Sequence, residues 1–179
     1  QDFLYAGRLE RLKGLQDVIP LFRALPAARL LIAGTGAFET ELRRVAEGVP
    51  NVEFLGQVHP SRVAELYRAA RAALVPSLCY EVFPLAPVEA MAQGVPVLGR
   101  RIGAVTEVVE ESGGGVLFDT SAACLEALRR LLDDTDAARA MGAAGRRHAL
   151  AHWTESAHLD RYFRLIGQLL ERQDDRRRR

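Results

Sequence analysis

Short apolar runs alternate with longer amphipathic stretches along most of the chain, and this alternation constrains the fold more than any other feature. One strand and the helix that follows it occupy about 25 residues, the spacing typical of a parallel sheet with helices on both faces. The predicted strands cover residues 3–6, 29–33, 52–55, 72–75, 95–98 and 116–118. We therefore predict an α/β fold with a Rossmann-like, doubly wound parallel six-stranded sheet and extra C-terminal helices.

The amphipathic stretches between and after the predicted strands are predicted to form helices. Ser61 is the expected N-cap of the third helix, and Pro84 is expected in the first turn of the fourth. The predicted helices cover residues 14–25, 38–47, 61–70, 84–92, 106–109, 121–132, 136–151 and 155–172. We expect one domain, residues 1–172, followed by a flexible arginine-rich tail, residues 173–179.

The composition excludes several classes of protein. The chain has 179 residues, of which 49% are hydrophobic and 26% charged, the profile of a globular domain. It contains no apolar run of 18 or more residues and only two cysteines, Cys79 and Cys124, which are too few for a disulfide framework. These features exclude a membrane span, a disulfide-rich secreted domain and a cysteine-based zinc module, and they favour a cytoplasmic protein with free thiols.

The charge balance also argues against a nucleic-acid partner. Lys+Arg number 24 against 23 Asp+Glu, but four of the basic residues are the terminal arginines 176–179, without which the chain is slightly acidic. A nucleic-acid-binding domain is expected to carry an excess of positive charge. Arg accounts for all the basic residues except Lys13.

Glycine and turn residues follow five successive predicted strands, where parallel sheets bind their ligands. The segments are Gly7-Arg8, Gly34-Thr35-Gly36, Gly56, Pro76-Ser77 and Gly99. The second segment does not continue as a GxGxxG motif, because Glu39 occupies the third glycine position. It therefore predicts a tight turn rather than a dinucleotide site.

Two cations lie in the loop after the first strand. Arg8 and Lys13 together can neutralise a diphosphate without a metal ion. By themselves they are better explained as ordinary exposed charges.

Two carboxylates flank the predicted start of the fourth helix. Glu81 precedes this helix and Glu89 lies two turns inside it, while residues 83–85 place free N–H groups and the positive end of the helix dipole between them. A phosphate site with a hydroxyl acceptor on each side suits a nucleotide sugar. Two surface glutamates beside a capped helix are the alternative.

Taken in order, these segments resemble the C-terminal, donor-binding domain of the GT-B-fold retaining glycosyltransferases of family GT4, also called glycosyl transferases group 1. The resemblance covers the chain to about Tyr162 and makes the predicted sheet one lobe of a GT-B fold. It is carried by GRLERLKG at 7–14, LLIAGTG at 30–36, VEFLGQV at 52–58, ALVPS at 73–77, EVFPLAPVEAMAQGVPVLG at 81–99 and IGAVTEVV at 102–109.

The resemblance implies a role for each matching position. The catalytic set would be Arg8 and Lys13 on the diphosphate and Glu81 on the donor sugar. Glu89 would bind the ribose and Val58 would border the base. The remaining donor-binding positions would be Gly7, Phe83, Pro84 and Leu85, mainly through the backbone. No metal or cofactor is implied, and the partner is a nucleoside-diphosphate sugar.

Two positions depart from the usual family pattern, which has glycine where this chain has Val82 and Pro84. The proline has no N–H and the valine restricts the backbone, so the departures bear on which sugar is bound. The chain also begins with Gln1 and enters a strand at once, which suggests a fragment without the acceptor lobe. Such a fragment is expected to bind donor weakly and to transfer nothing, and any membrane contact would belong to the acceptor lobe.

Three readings of the function stay open at this point. The first is the donor half of a retaining glycosyltransferase, and the second is a non-catalytic sugar-nucleotide-binding module. The third is another GT-B enzyme, such as an epimerase or a phosphorylase. His148 and His152 are spaced to chelate a metal, but surface histidines on a helix are the simpler interpretation.

Overall fold

The computed structural model describes the backbone of residues 1–177 and the side-chain surroundings up to Gln173. Six strands form one sheet in the order β3-β2-β1-β4-β5-β6, and every pairing between neighbours is parallel. This order confirms the predicted doubly wound, Rossmann-like sheet. The strands are β1 (Asp2–Ala6), β2 (Arg29–Ala33), β3 (Val52–Gly56), β4 (Ala72–Val75), β5 (Val97–Arg100) and β6 (Gly115–Phe118).

Helices connect the strands and continue after the last one. They are α1 (Leu15–Val18), α2 (Glu39–Val45), α3 (Pro60–Ala69), α4 (Leu85–Ala92), α5 (Gly103–Ser112), α6 (Ser121–Asp133), α7 (Thr135–His152) and α8 (Glu155–Arg177). The prediction of one continuous helix over 14–25 was wrong, because short 3-10 helices, Arg11–Lys13 and Ile19–Ala24, lie on either side of α1. Pro20 has no N–H to continue the α-helical bonding pattern, so the backbone tightens at that point.

Several predicted helix ends differ in the structure, and three of them concern a named residue or the predicted tail. His59, not Ser61, is the N-cap of α3, since the His59 ring nitrogen accepts a hydrogen bond from the Ser61 N–H at 3.4 Å. Pro84 is the N-cap of α4 rather than a residue of its first turn. Helix α8 continues past the predicted end at residue 172 to Arg177, and the last two residues of the predicted tail lie outside the described residues.

Alternate residues of each strand pack on opposite faces of the sheet and form two separate cores. On one face Phe3 packs edge-on against Phe22, with ring centroids 5.8 Å apart. On the other face Leu4 and Leu31 belong to the core that contains Met91 of α4. Because both faces are covered, ligands reach the sheet only at its edges, and the carboxyl edge is the one that carries the predicted site.

Both cysteines are free thiols, as predicted, and burial raises the pKa of Cys124 to about 12. Within residues 1–177, no helix combines the length and the apolar character needed to cross a membrane.

Candidate functional site

A cleft of about 640 Å³ opens at the carboxyl ends of β1, β2 and β3. Its lining residues come from the loops after these three strands and from helices α3 and α4. Four of the residues that the sequence singled out line this cleft, namely Gly7, Arg8, Val58 and Glu89. The volume is ample for a small organic ligand.

The backbone forms the floor of the cleft. A side chain at Gly34, whose φ is +143°, would overlap the carbonyl oxygen of Gly7, and one at Gly36 would overlap that of Leu9. The Leu9 N–H in turn donates to the Thr35 carbonyl at 2.9 Å. The glycines of this segment therefore let two loops approach at backbone distance.

The backbone of Arg8 is fixed at the edge of the cleft, while its side chain is exposed. The buried Tyr5 hydroxyl donates to the Arg8 carbonyl oxygen at 2.7 Å, while the Arg8 side chain is 75% exposed. Its guanidinium contacts Glu10 at 2.7 Å, and an exposed pair of this kind is weak. The guanidinium is therefore free to exchange Glu10 for a ligand anion.

Lys13 and Glu81 form a half-buried ion pair beside the cleft. The Lys13 Nζ lies 2.5 Å from Glu81 Oε1, and both side chains are 21% exposed. The Ser77 hydroxyl donates to the same oxygen at 3.0 Å. Burial alone would raise the pKa of Glu81, but the hydrogen bonds from Lys13 and Ser77, aided by the nearby charge of Arg8, hold that pKa below its ordinary value. Glu81 is thus a carboxylate at neutral pH.

Close backbone contacts bring Lys13 to Glu81. Gly14 adopts a left-handed conformation with φ of 74°, and a Cβ there would overlap the Pro76 carbonyl oxygen. Next to it the Leu78 N–H donates to the Leu12 carbonyl at 2.7 Å. The loops after β1 and β4 are therefore joined at the positions that carry the two charges.

Arg100 stabilises the contact between the loops after β1 and β4. Its guanidinium donates to the Pro76 carbonyl at 3.1 Å and pairs with Asp17 of α1 at 2.7 Å. The Arg100 side chain is only 15% exposed and lies over the Phe118 ring. The loop after β4 is thus fixed to α1 and to β6.

The start of α4 offers fewer backbone donors than an ordinary helix. The first N–H groups of a helix have no partner within it, and here Pro84 and Pro87 have no N–H at all. The N–H groups of Leu85 and Ala86 remain. Phe83 is half exposed and lies edge-on to Trp153, with ring centroids 6.4 Å apart. This contact joins the segment before α4 to the end of α7.

Glu89 lies on the α4 side of the cleft. Glu89 is an exposed residue, although burial of part of its side chain raises the pKa of its carboxyl group. The Tyr67 phenol, which is buried in the cleft wall, has its pKa raised by burial and further by the charge of Glu89. Within residues 1–173 the Glu89 carboxylate makes no hydrogen bond to the protein, so both of its oxygens are available to a ligand.

The sequence did not assign a role to three polar residues of this region, namely Tyr5, Tyr67 and Ser77. Their positions at the end of a strand or inside an amphipathic helix are typical of core residues. Ser77 directly follows Pro76 at a strand end, and this was the one signal that pointed to the site.

Within the described part of the chain, no three His, Cys, Asp or Glu side chains cluster so as to hold a metal ion. The rings of His148 and His152 lie 4.5 Å apart, and burial together with the neighbouring His152 lowers the pKa of His148.

The fold is that of one lobe of a GT-B glycosyltransferase. Sucrose-phosphate synthase from Thermosynechococcus elongatus superposes with a TM-score of 0.84 and 30% identity, over 95% of this chain and 45% of that one. Anabaena HepE in complex with UDP has the same fold, with a TM-score of 0.86 at 21% identity over 93% of this chain and 48% of its own.

The chain belongs to the family of glycosyl transferases group 1, whose model matches residues 1–148. This confirms the resemblance stated above. A curated relative, the GDP-mannose-dependent monoacylated alpha-(1-6)-phosphatidylinositol monomannoside mannosyltransferase of Corynebacterium glutamicum, is 36% identical over 156 residues. The match covers 83% of this chain but 40% of that relative, so the chain spans less than half the length of the enzyme it resembles.

Proposed function

We propose that this chain binds the nucleoside-diphosphate sugar donor of a retaining glycosyl transfer. The observation that carries the proposal is the combination of the cleft beside Arg8 and Glu89 with the adjacent Lys13–Glu81 ion pair. The cleft accommodates a nucleoside, and the ion pair provides one group for a phosphate and one for a sugar hydroxyl. The acceptor is proposed to bind a second lobe of the full-length enzyme.

The nucleoside is proposed to lie along the cleft. The base would lie against Gln57 and Val58 after β3, and the ribose hydroxyls would donate to the Glu89 carboxylate. Both contacts suit residues that line the same cleft. The Glu89 carboxylate makes no hydrogen bond to residues 1–173, so a ribose hydroxyl can donate to it without displacing a protein partner.

The diphosphate is proposed to lie between the two cations. Arg8 gives up its exposed pair with Glu10, and Lys13 turns two of its three N–H bonds to phosphate while one remains on Glu81. The N–H groups of Leu85 and Ala86 add backbone donors at the positive end of α4. Charge develops on the diphosphate as it leaves, so these fixed donors stabilise the transition state more than the bound substrate. Two cations suffice for this without a metal ion.

Glu81 is proposed to bind the sugar rather than to attack it. Its Oε1 already accepts hydrogen bonds from Lys13 and Ser77, which stabilise the negative charge and reduce its nucleophilicity. An acceptor hydroxyl then bonds to the anomeric carbon on the face from which the diphosphate departs, so the configuration at that carbon is retained. Val82, which is fully exposed, and Pro84 would shape the sugar pocket.

A nucleotide panel tests the proposal directly. The name of the Corynebacterium relative includes GDP-mannose, and the HepE structure contains UDP. The panel therefore consists of GDP, GDP-mannose, UDP, UDP-glucose and ADP. At about 100 times its dissociation constant, a ligand of the native state adds about 2.7 kcal/mol to the free energy of unfolding. We expect one base to raise Tm by about 5–11 °C.

Two arginine variants make the panel specific for the proposed site. Arg8→Ala is expected to reduce the shift, because it removes a diphosphate contact. Arg11→Ala removes a neighbouring exposed arginine and is expected to keep the shift. No shift with any nucleotide in the wild type, or equal shifts in all three proteins, would contradict donor binding at this cleft.

Glu89→Gln is expected to separate stability from binding. Because burial raises the pKa of Glu89, its charge destabilises the folded chain as pH rises above the ordinary value of 4.5. The variant should therefore have a slightly higher Tm than the wild type near pH 7, and the difference should vanish near about pH 4. Loss of the charged acceptor should weaken nucleoside diphosphate binding by about 10-fold or more.

Thermal unfolding across this pH range and calorimetric titration at neutral pH measure the two effects. Glu47→Gln, which changes an exposed carboxylate outside the cleft, is the matched control and should alter neither. A Glu89→Gln variant that is less stable at pH 7 and binds as tightly as the wild type would refute the assignment.

A further inference from the structure

We infer that Ser77 is a positioning residue that fixes the Glu81 carboxylate so that its second oxygen, Oε2, accepts a hydroxyl of the donor sugar. This inference rests on the proposed donor-binding function. It assigns to Ser77 a contribution to sugar recognition that neither Lys13 nor the diphosphate supplies.

The burial of Ser77 is the first argument. Among the described residues only Ser77 and Ser112 are buried polar side chains, with 3% and 7% exposure. A buried hydroxyl needs a hydrogen-bond partner. Ser112 finds its acceptors in its own helix, the carbonyl oxygens of Val108 and Val109. Ser77 instead donates to Glu81, a side chain of the site.

The choice of oxygen is the second argument. Ser77 and Lys13 both donate to Glu81 Oε1, at 3.0 Å and 2.5 Å. Within residues 1–173, no hydrogen bond is made to Oε2. Two donors on one oxygen fix the rotation of the carboxylate and leave the other oxygen as the acceptor.

Binding of a donor changes the contacts of Lys13. As the ammonium group turns toward the diphosphate, its bond to Glu81 weakens. Ser77 belongs to a segment fixed by Gly14 and Arg100, so its bond to Glu81 does not depend on the ligand. Ser77 therefore keeps Glu81 in place at the moment when the sugar must be held. The prediction is that Ser77 affects the additional affinity due to the sugar, but not the affinity for the nucleoside diphosphate.

Calorimetric titration of this chain with GDP, GDP-mannose, UDP and UDP-glucose tests this point. For the base that binds, Ser77→Ala should weaken sugar-nucleotide binding by about 3- to 10-fold and leave nucleoside-diphosphate binding unchanged. Ser112→Ala, the other buried serine, should leave both affinities unchanged even if it lowers Tm. Ser77→Thr, which keeps the hydroxyl, should restore the sugar-dependent increment.

A second measurement needs no ligand. NMR titration of the ¹³C-labelled glutamate carboxyl groups should show a higher pKa for Glu81 in Ser77→Ala than in the wild type, because one stabilising hydrogen bond is lost. An unchanged Glu81 titration, or an equal loss of affinity for both ligands, would overturn the inference. Failure of the wild type to bind any of these four nucleotides or ADP would instead overturn the proposed function, and the NMR titration, which needs no ligand, distinguishes that case.

Discussion

Replacing Lys13 with alanine is expected to weaken binding of the nucleoside diphosphate by about 10- to 150-fold. Hydrogen bonds to charged groups contribute about 1.5–3 kcal/mol, which corresponds to this range. The variant also leaves the half-buried Glu81 without its cationic partner and with its charge facing the phosphates. Both effects act in the same direction, so we expect Lys13→Ala to have the largest effect of any single substitution on binding.

The composition of the chain offers a direct probe of this residue. Lys13 is the only lysine, so incorporation of ¹³C,¹⁵N-labelled lysine places a label on this side chain alone and leaves its three N–H donors intact. The Lys13 side-chain NMR signals should move when the nucleotide is added. Arg11→Ala is the control for loss of a nearby cation and should bind like the wild type.

The same variant has a pH signature. The pKa of Glu81 is held low in the folded chain, so the stability that this carboxylate contributes is present above the ordinary value of 4.5 and is lost as pH falls through its folded-state value. The stability difference between wild type and Lys13→Ala should therefore be largest near neutral pH and shrink on acidification. The role assigned to Lys13 would be contradicted by a Lys13→Ala variant that binds the nucleotide as tightly as the wild type and whose loss of stability does not change with pH.

Gly14→Ala is expected to have the largest effect on stability. The left-handed conformation at φ of 74° costs an alanine about 1 kcal/mol, and the new Cβ would also overlap the Pro76 carbonyl oxygen. We expect the free energy of unfolding to fall by about 3 kcal/mol, or Tm by about 6–12 °C. Because Gly14 joins the loops that carry Lys13 and Glu81, nucleotide binding should weaken as well.

Gly113→Ala separates the two causes. Gly113 has a similar φ of 59°, but a Cβ there would meet nothing within 4 Å. It should show only the cost of the left-handed conformation, about 1 kcal/mol or a fall in Tm of about 2–4 °C, with unchanged binding. Equal losses of stability in the two variants would show that the contact with Pro76 does not support the loop.

The fold was largely predictable because its signals are local. Strand and helix periodicity needs only neighbouring residues, and all six strands were placed within a few positions of their observed bounds. The prediction was wrong where a proline changed the helix pattern that the neighbouring residues indicated. Pro20 divided a predicted helix, and Pro60 let His59 rather than Ser61 become a cap.

The sequence alone determined the class of fold and the family, and it predicted the edge of the sheet where the candidate site lies. It did so because strand periodicity, residues at strand ends and the motif at 81–99 are short-range patterns. Only the tertiary structure decided that Lys13 and Glu81, 68 residues apart, form one ion pair, and that a buried Ser77 shares the same oxygen. This pairing depends on the close contact between Gly14 and Pro76, which joins the loops after β1 and β4. The spacing of residues along the chain does not predict a contact between segments so far apart.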